Sequence, residues 1–211
     1  VRKAIDRAVD SGIPVVATNA DIDGTKRTCC VGINNRKAAR IAGRLMGQFL
    51  GGTGKIAVVS SAIASENNNY YVQVRETEFA DFIHKEYPDI KIITTLDSFE
   101  DPQITYEKTV KLLRDYQDLQ GIYITCGGVS QVGRALEESG RAKDIRVISF
   151  EDYPEVVDLI RKDVIDCTLA GELQQQGEIP VQIIMDYLVF GKEPEQQQIF
   201  TDIRVLVKES L

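Results

Sequence analysis

The feature that most constrains this chain is an alternation. Short apolar runs of strand length take turns with longer segments of helical period from one end of the 211 residues to the other. Each such run is continuous rather than two-faced, as in strands covered on both sides, and a helix between two of them is the crossover that parallel pairing requires. Lys55–Ser61, Ile90–Thr95, Gly121–Cys126, Ile145–Phe150 and Cys167–Ala170 read as the strands. Helices are expected at 69–87, 102–117, 129–139, 153–162 and 174–190. Upstream, a helix closes at Gly12, Ile13–Thr18 and Cys29–Ile33 read as two short strands, and Asn34 or Asn35 caps a helix that Gly51-Gly52 ends. Its stripe Ala38, Ile41, Ala42, Leu45, Met46 and Phe49 follows the 3.6-residue period. A last run, Ile203–Val207, adds a strand. The expected fold class is α/β with a doubly wound parallel sheet.

The pattern is lopsided. Residues 34–170, with 201–211 returning to them, supply a full five-stranded lobe, whereas 1–33 and 171–200 hold the pieces of a second, incomplete N-terminal lobe. With Val1 in place of an initiator Met and no leader peptide, the expectation is that an upstream part has been removed.

Composition excludes some functions. A formal charge of -7 repels a phosphate backbone, so the segment itself is not expected to hold DNA. No run of about 18 apolar residues is present to span a bilayer. The four cysteines Cys29, Cys30, Cys126 and Cys167 lie in or beside apolar runs without CxxC spacing, which reads as reduced core thiols and points to neither metal nor cofactor. The one histidine, His84, sits on the polar side of a helix, so a Ser-His-Asp catalyst is not expected. Gly51-Gly52-Thr53-Gly54-Lys55 has the composition of a phosphate loop, but it precedes a strand instead of following one. The chain therefore reads as a binder, not an enzyme.

An open parallel sheet binds its ligand beyond the carboxyl ends of its strands. The residues there are Asn19 and Asp21, the segment from Ser61 to Asn69, Gly127-Gly128, Glu151-Asp152 and Gly171-Glu172. Amides, carboxylates and glycines suit a neutral ligand with many hydroxyls. Arg75 stands out because it interrupts the inward stripe Val72, Phe79, Phe82 and Ile83, and its rigid fork of donors grips oxygen. The alternative for Arg75 is a structural pair. Asn19 and Asp21 read equally as turn formers, and Glu151-Asp152 equally as a helix cap. Tyr70, Phe99 and Tyr153 lie near this edge, where an aromatic can stack on the apolar face of a sugar ring, although core packing is the expected role.

These stretches resemble a known family. Ala4–Val16 is similar to the helix, turn and strand of type I periplasmic sugar-binding proteins and of LacI/GalR transcriptional regulator effector domains. Val31-Gly32-Ile33-Asn34-Asn35 with Ala42-Gly43, Arg75 to Phe79, Val147-Ile148-Ser149-Phe150-Glu151, and Gly177 agree in order and spacing. The resemblance implies two lobes joined by crossings near Ile33-Asn34, Ala170-Gly171 and Thr201-Asp202, with a small carbohydrate between them. It implies Asn19, Asp21, Arg75, Gly127, Glu151 and Gln174 as ligand contacts. Glu151 stands in place of the usual Asp, Gly127-Gly128 in place of a frequent Asn-Asp pair, and Gly171 in place of a common Gln, for which Gln174 and Gln175 compensate. The expected function is the sugar-sensing domain of a cytoplasmic, homodimeric LacI-type regulator that reaches DNA through an upstream helix-turn-helix. The alternative is the periplasmic or extracellular solute-binding protein of a sugar ABC transporter.

Overall fold

The computed structural model describes residues 1–22, 24–61 and 70–211. Asp23, Asn69 and the rest of 62–69 therefore lie outside the described residues, and with them most of the segment from Ser61 to Asn69.

Contacts divide the chain into two compact units, residues 1–34 with 171–204, and residues 35–170 with 205–211. In the first unit, α1 (Arg2–Asp10) leads to β1 (Val16–Thr18), which pairs in parallel with β2 (Cys29–Ile33). The strand expected from Ile13 begins three residues later. The Ile13 amide is spent on the Ala8 carbonyl at the helix end, at 3.0 Å, and Pro14 has no amide to offer a neighbour. On its other side β2 pairs in parallel with β8 (Gln198–Thr201), a strand that the sequence pattern did not reveal.

The helix α7 (Leu173–Phe190) completes this unit and carries Pro180 in its interior. Proline cannot donate to the carbonyl four residues back, so Gln176 loses its helical partner. The Thr18 hydroxyl donates to that carbonyl instead, at 2.9 Å. β1 thus supplies the hydrogen bond that the helix lacks.

The second unit is built on α2 (Asn35–Phe49), β3 (Gly54–Ser60), α3 (Tyr70–Glu86), β4 (Ile90–Asp97), α4 (Pro102–Asp115), β5 (Gly121–Ile124), α5 (Val129–Ser139), β6 (Arg146–Phe150), α6 (Pro154–Arg161) and β7 (Cys167–Gly171). With β9 (Ile203–Leu206) they give a six-stranded sheet of order β4-β3-β5-β6-β7-β9, and every pairing from β4 to β7 is parallel. Ile122, Ile124 and Val147 face a core built from α4, α5 and α6, including Leu136, Val132 and Leu159. On the opposite face, the Tyr123 ring stacks on Phe79 of α3 at 4.0 Å. Helices cover both faces, as the apolar strands require. The chain is an α/β fold with a doubly wound parallel sheet.

α2 packs unusually close to α3. A Cβ added at Gly43 would meet the Phe82 ring at 2.6 Å, and one added at Gly47 would overlap the Tyr87 ring. The glycines, four residues apart on the buried side of α2, make room for those two aromatics.

Candidate functional site

The strand order fixes where to look. From β3 the chain crosses to β4 on one side and then returns to β5 on the other, so the connections diverge between the carboxyl ends of β3 and β5. Such a divergence leaves a crevice at the strand ends.

Arg75, on α3, reaches this point. Val72, Arg75, Phe79 and Ile83 are the buried residues of α3, and Arg75 is 3% exposed. Its Nε donates to Asn35 Oδ1 at 2.7 Å, one terminal nitrogen donates to the Thr125 carbonyl just after β5 at 3.2 Å, and the other to Glu151 Oε1 at 3.5 Å. The guanidinium lies 3.8 Å from the centre of the Phe150 ring and 5.4 Å from that of Tyr71. Burial pulls its pKa below the ordinary arginine value, and the charge of Glu151 opposes that pull. Three of its five N–H groups are engaged, so among the described residues one on each terminal nitrogen remains for an incoming oxygen.

Glu151 follows β6 directly, with φ of 72°, in the left-handed region that a residue with a Cβ enters at a cost of about 1–2 kcal/mol. Two hydrogen bonds to β7 pin it there: its amide donates to the Leu169 carbonyl at 2.8 Å, and its carbonyl accepts from Thr168 Oγ1 at 2.7 Å. The strained backbone turns the carboxylate, 32% exposed, toward Arg75. The cap of α6 is Tyr153 followed by Pro154, and no side chain caps it, so Glu151 has no capping duty.

Gly127 is exposed with open space where a Cβ would stand, and Gly128, at φ of 93°, is the N-cap of α5. A Cβ on Gly128 would strike Thr105 at 2.8 Å, which accounts for glycine at this turn. Tyr70, Phe99 and Tyr153, expected in the core, are exposed by 48%, 53% and 64%. They stand on a connection and at helix starts, outside the sheet layers. Tyr71, half-buried, has its pKa raised by burial, with Arg75 opposing and Glu100 and Glu151 adding to the rise.

In the first unit, Asn19 is exposed at the end of β1 with φ of 63°, and its amide donates to Val31. Gly32 lies against its backbone, where a Cβ would come within 3.1 Å of the Asn19 carbonyl. The Asp21 carboxylate is taken by Arg27 through two nitrogens. Gln174 donates to Glu178 one turn along α7, at 2.8 Å, on an exposed helix surface. At Gly171, a Cβ would overlap the Gln176 side-chain amide and meet Ile33 at 2.7 Å, so any larger residue there requires both to shift.

Arg75 and Glu151 are thus brought together in the second unit, with Gly127 two residues beyond the Thr125 carbonyl that Arg75 holds. Asn19, Asp21 and Gln174 belong to the first unit. Asn35, Phe150 and Tyr71 were not singled out as contacts from sequence. Phe150 could have been, since it directly precedes Glu151 at the end of its strand. His84 is exposed, and all four cysteines are buried and free. Among the described residues no group of His, Cys, Asp or Glu side chains is arranged to hold a metal ion, and no helix is long and apolar enough to cross a membrane.

A sequence profile of the periplasmic binding protein domain matches residues 1–193. Among solved structures, the chain is similar to a sugar ABC transporter sugar-binding protein from Bacillus halodurans, at 27% identity and a TM-score of 0.89, over 99% of this chain and 73% of that one. It is similar to AraP, an arabinose binding protein from Geobacillus stearothermophilus, at 26% identity and a TM-score of 0.86, over 98% of this chain and 72% of that one. The fold is shared with GanP, a glucose-galactose binding protein from the same organism, at 23% identity and a TM-score of 0.87, over 99% and 72% of the two chains.

Proposed function

Since the chain belongs to the periplasmic binding protein domain family, we propose that it is the solute-binding component of a sugar ABC transporter, and that it holds a small neutral carbohydrate without changing it. The observation that carries this reading is Arg75: a buried guanidinium stacked on Phe150, oriented by Asn35 and Glu151, with an N–H left on each terminal nitrogen among the described residues. A fixed fork of donors beside a carboxylate acceptor matches vicinal hydroxyls, which both accept and donate. In this reading Arg75 and Glu151 bind the sugar and Gly127 offers backbone polar groups, while Asn19, Asp21 and Gln174 are proposed as further contacts on the family resemblance alone. Asp21 contributes only if Arg27 shares it.

The relatives at 27% and 26% identity are a sugar-binding transporter protein and an arabinose binding protein, and they support the transport reading over that of a LacI-type regulator. The two cations that follow β1 have local partners: Arg27 pairs with Asp21, and Lys26 with Asp10 at 2.7 Å. Cytoplasmic location, dimerisation and DNA linkage belong to that second reading.

The test is a thermal-shift screen of the intact protein against neutral pentoses, hexoses and polyols, followed by recovery of the bound compound. A ligand that binds the folded state alone raises the melting temperature. The expected result is one or a few sugars that stabilise the protein and are recovered unchanged, and whose uptake by cells is lost with the gene. Conversion of the sugar would make it an enzyme; intact uptake with altered transcription would make it a regulator.

A further inference from the structure

The connection from β4 to α4 is bent against its own residues. Phe99 and Glu100 both take left-handed φ values, 53° and 54°, and neither is glycine. The turn is tied down from within: the Phe99 amide donates to Asp97 Oδ1 at 3.0 Å, the Glu100 amide to Ser98 Oγ at 3.2 Å, and the Ser98 amide to the Ser60 carbonyl at 2.8 Å. Two strained residues in succession persist only where their surroundings hold them, and such strain gathers at ligand-handling sites.

The strain delivers the Glu100 carboxylate to Ser61, whose hydroxyl donates to it at 3.1 Å, at the end of β3. Ser98 of the same turn meets Cys126 Sγ at 3.4 Å, one residue beyond the Thr125 carbonyl that Arg75 grips. Glu100 and Glu151 therefore stand at one rim, together with the guanidinium. Lys108 of α4 is held on the same turn by contacts other than Glu100: its ammonium donates to the Asp97 carbonyl at 2.6 Å and lies 4.5 Å from the centre of the Phe99 ring.

We infer that Glu100 is a specificity-determining residue of this rim, which with Glu151 excludes anionic carbohydrates such as uronates and sugar phosphates. The inference rests on the carbohydrate reading above. The guanidinium that would attract an anion already faces Glu151, and an arriving carboxylate or phosphate would meet a second carboxylate, itself exposed to solvent, with which it shares a negative sign at contact range. A neutral hydroxyl meets the same carboxylates as a donor and is welcomed.

The experiment is calorimetric titration of the intact protein and its Glu100→Gln variant with matched pairs: glucose and glucuronate, galactose and galacturonate, ribose and ribose 5-phosphate. Glutamine keeps an oxygen for Ser61 and removes the charge. The wild type is expected to bind a neutral member at least roughly tenfold more tightly than its acid, and Glu100→Gln to raise the acid-to-neutral affinity ratio by about tenfold. Acids binding the wild type as well as their neutral partners would overturn the inference and leave the carbohydrate reading standing. An unchanged ratio in the variant, with both affinities reduced alike, would make Glu100 a support of the turn alone. If no sugar of either charge binds, the carbohydrate reading falls and this inference with it.

Discussion

Arg75 is buried at a cost that its surroundings must offset. A guanidinium with 3% exposure keeps its charge through the carboxylate of Glu151, the oxygens of Asn35 and Thr125, and the face of Phe150, a contact worth about 0.5–2 kcal/mol. The shortest of its hydrogen bonds, to Asn35, sets the plane of the fork. Asn35→Ala is therefore expected to weaken sugar binding by about tenfold, the loss of one charge-assisted bond, and Asn35→Asp to restore most of it. Titration calorimetry reads both. Equal affinities in all three proteins would mean that the fork is oriented by other contacts. In the sequence, Arg75 was legible because a charge breaks an apolar stripe. Asn35 was legible only as a helix cap, since its second role depends on a partner 40 positions away.

Between helices, the same residue type has opposite consequences in different places. Gly47 on α2 lies under the Tyr87 ring, whereas Gly177 on α7 has nothing within 4 Å of its missing Cβ. Alanine has the greater helix propensity by about 1 kcal/mol. Gly177→Ala is thus expected to stabilise the protein by up to ~1 kcal/mol, and Gly47→Ala to destabilise it by about 1–3 kcal/mol through overpacking. Denaturant unfolding checks the pair, and a gain at Gly47 would contradict the close α2–α3 contact. Periodicity placed α2 and α3 correctly, yet it could not say that α2 presents glycines to its neighbour for the sake of Phe82 and Tyr87. β8 escaped for a related reason. Gln198–Thr201 has neither alternation nor a continuous apolar run, and it is a strand only because β2 offers it an edge. The start of β1 at Val16 followed from chemistry that a hydrophobic run hides, namely Pro14 and the capping duty of Ile13.

At the scale of the whole chain, the doubly wound order was readable because buried parallel strands and crossover helices leave a strong pattern. The divergence of connections between β3 and β5 was not, since strand order is decided by pairing and not by any one segment. That divergence gives Arg75 its place, and in the proposed function the guanidinium grips the ligand there. The most direct measurement is calorimetric titration of the stabilising sugar into the wild type and Arg75→Met, with each melting temperature recorded without sugar. The expected affinity is at least about a hundredfold weaker in the variant, the loss of two charge-assisted hydrogen bonds, while a cooperative unfolding transition remains. Undiminished affinity in a folded Arg75→Met protein would contradict this expectation.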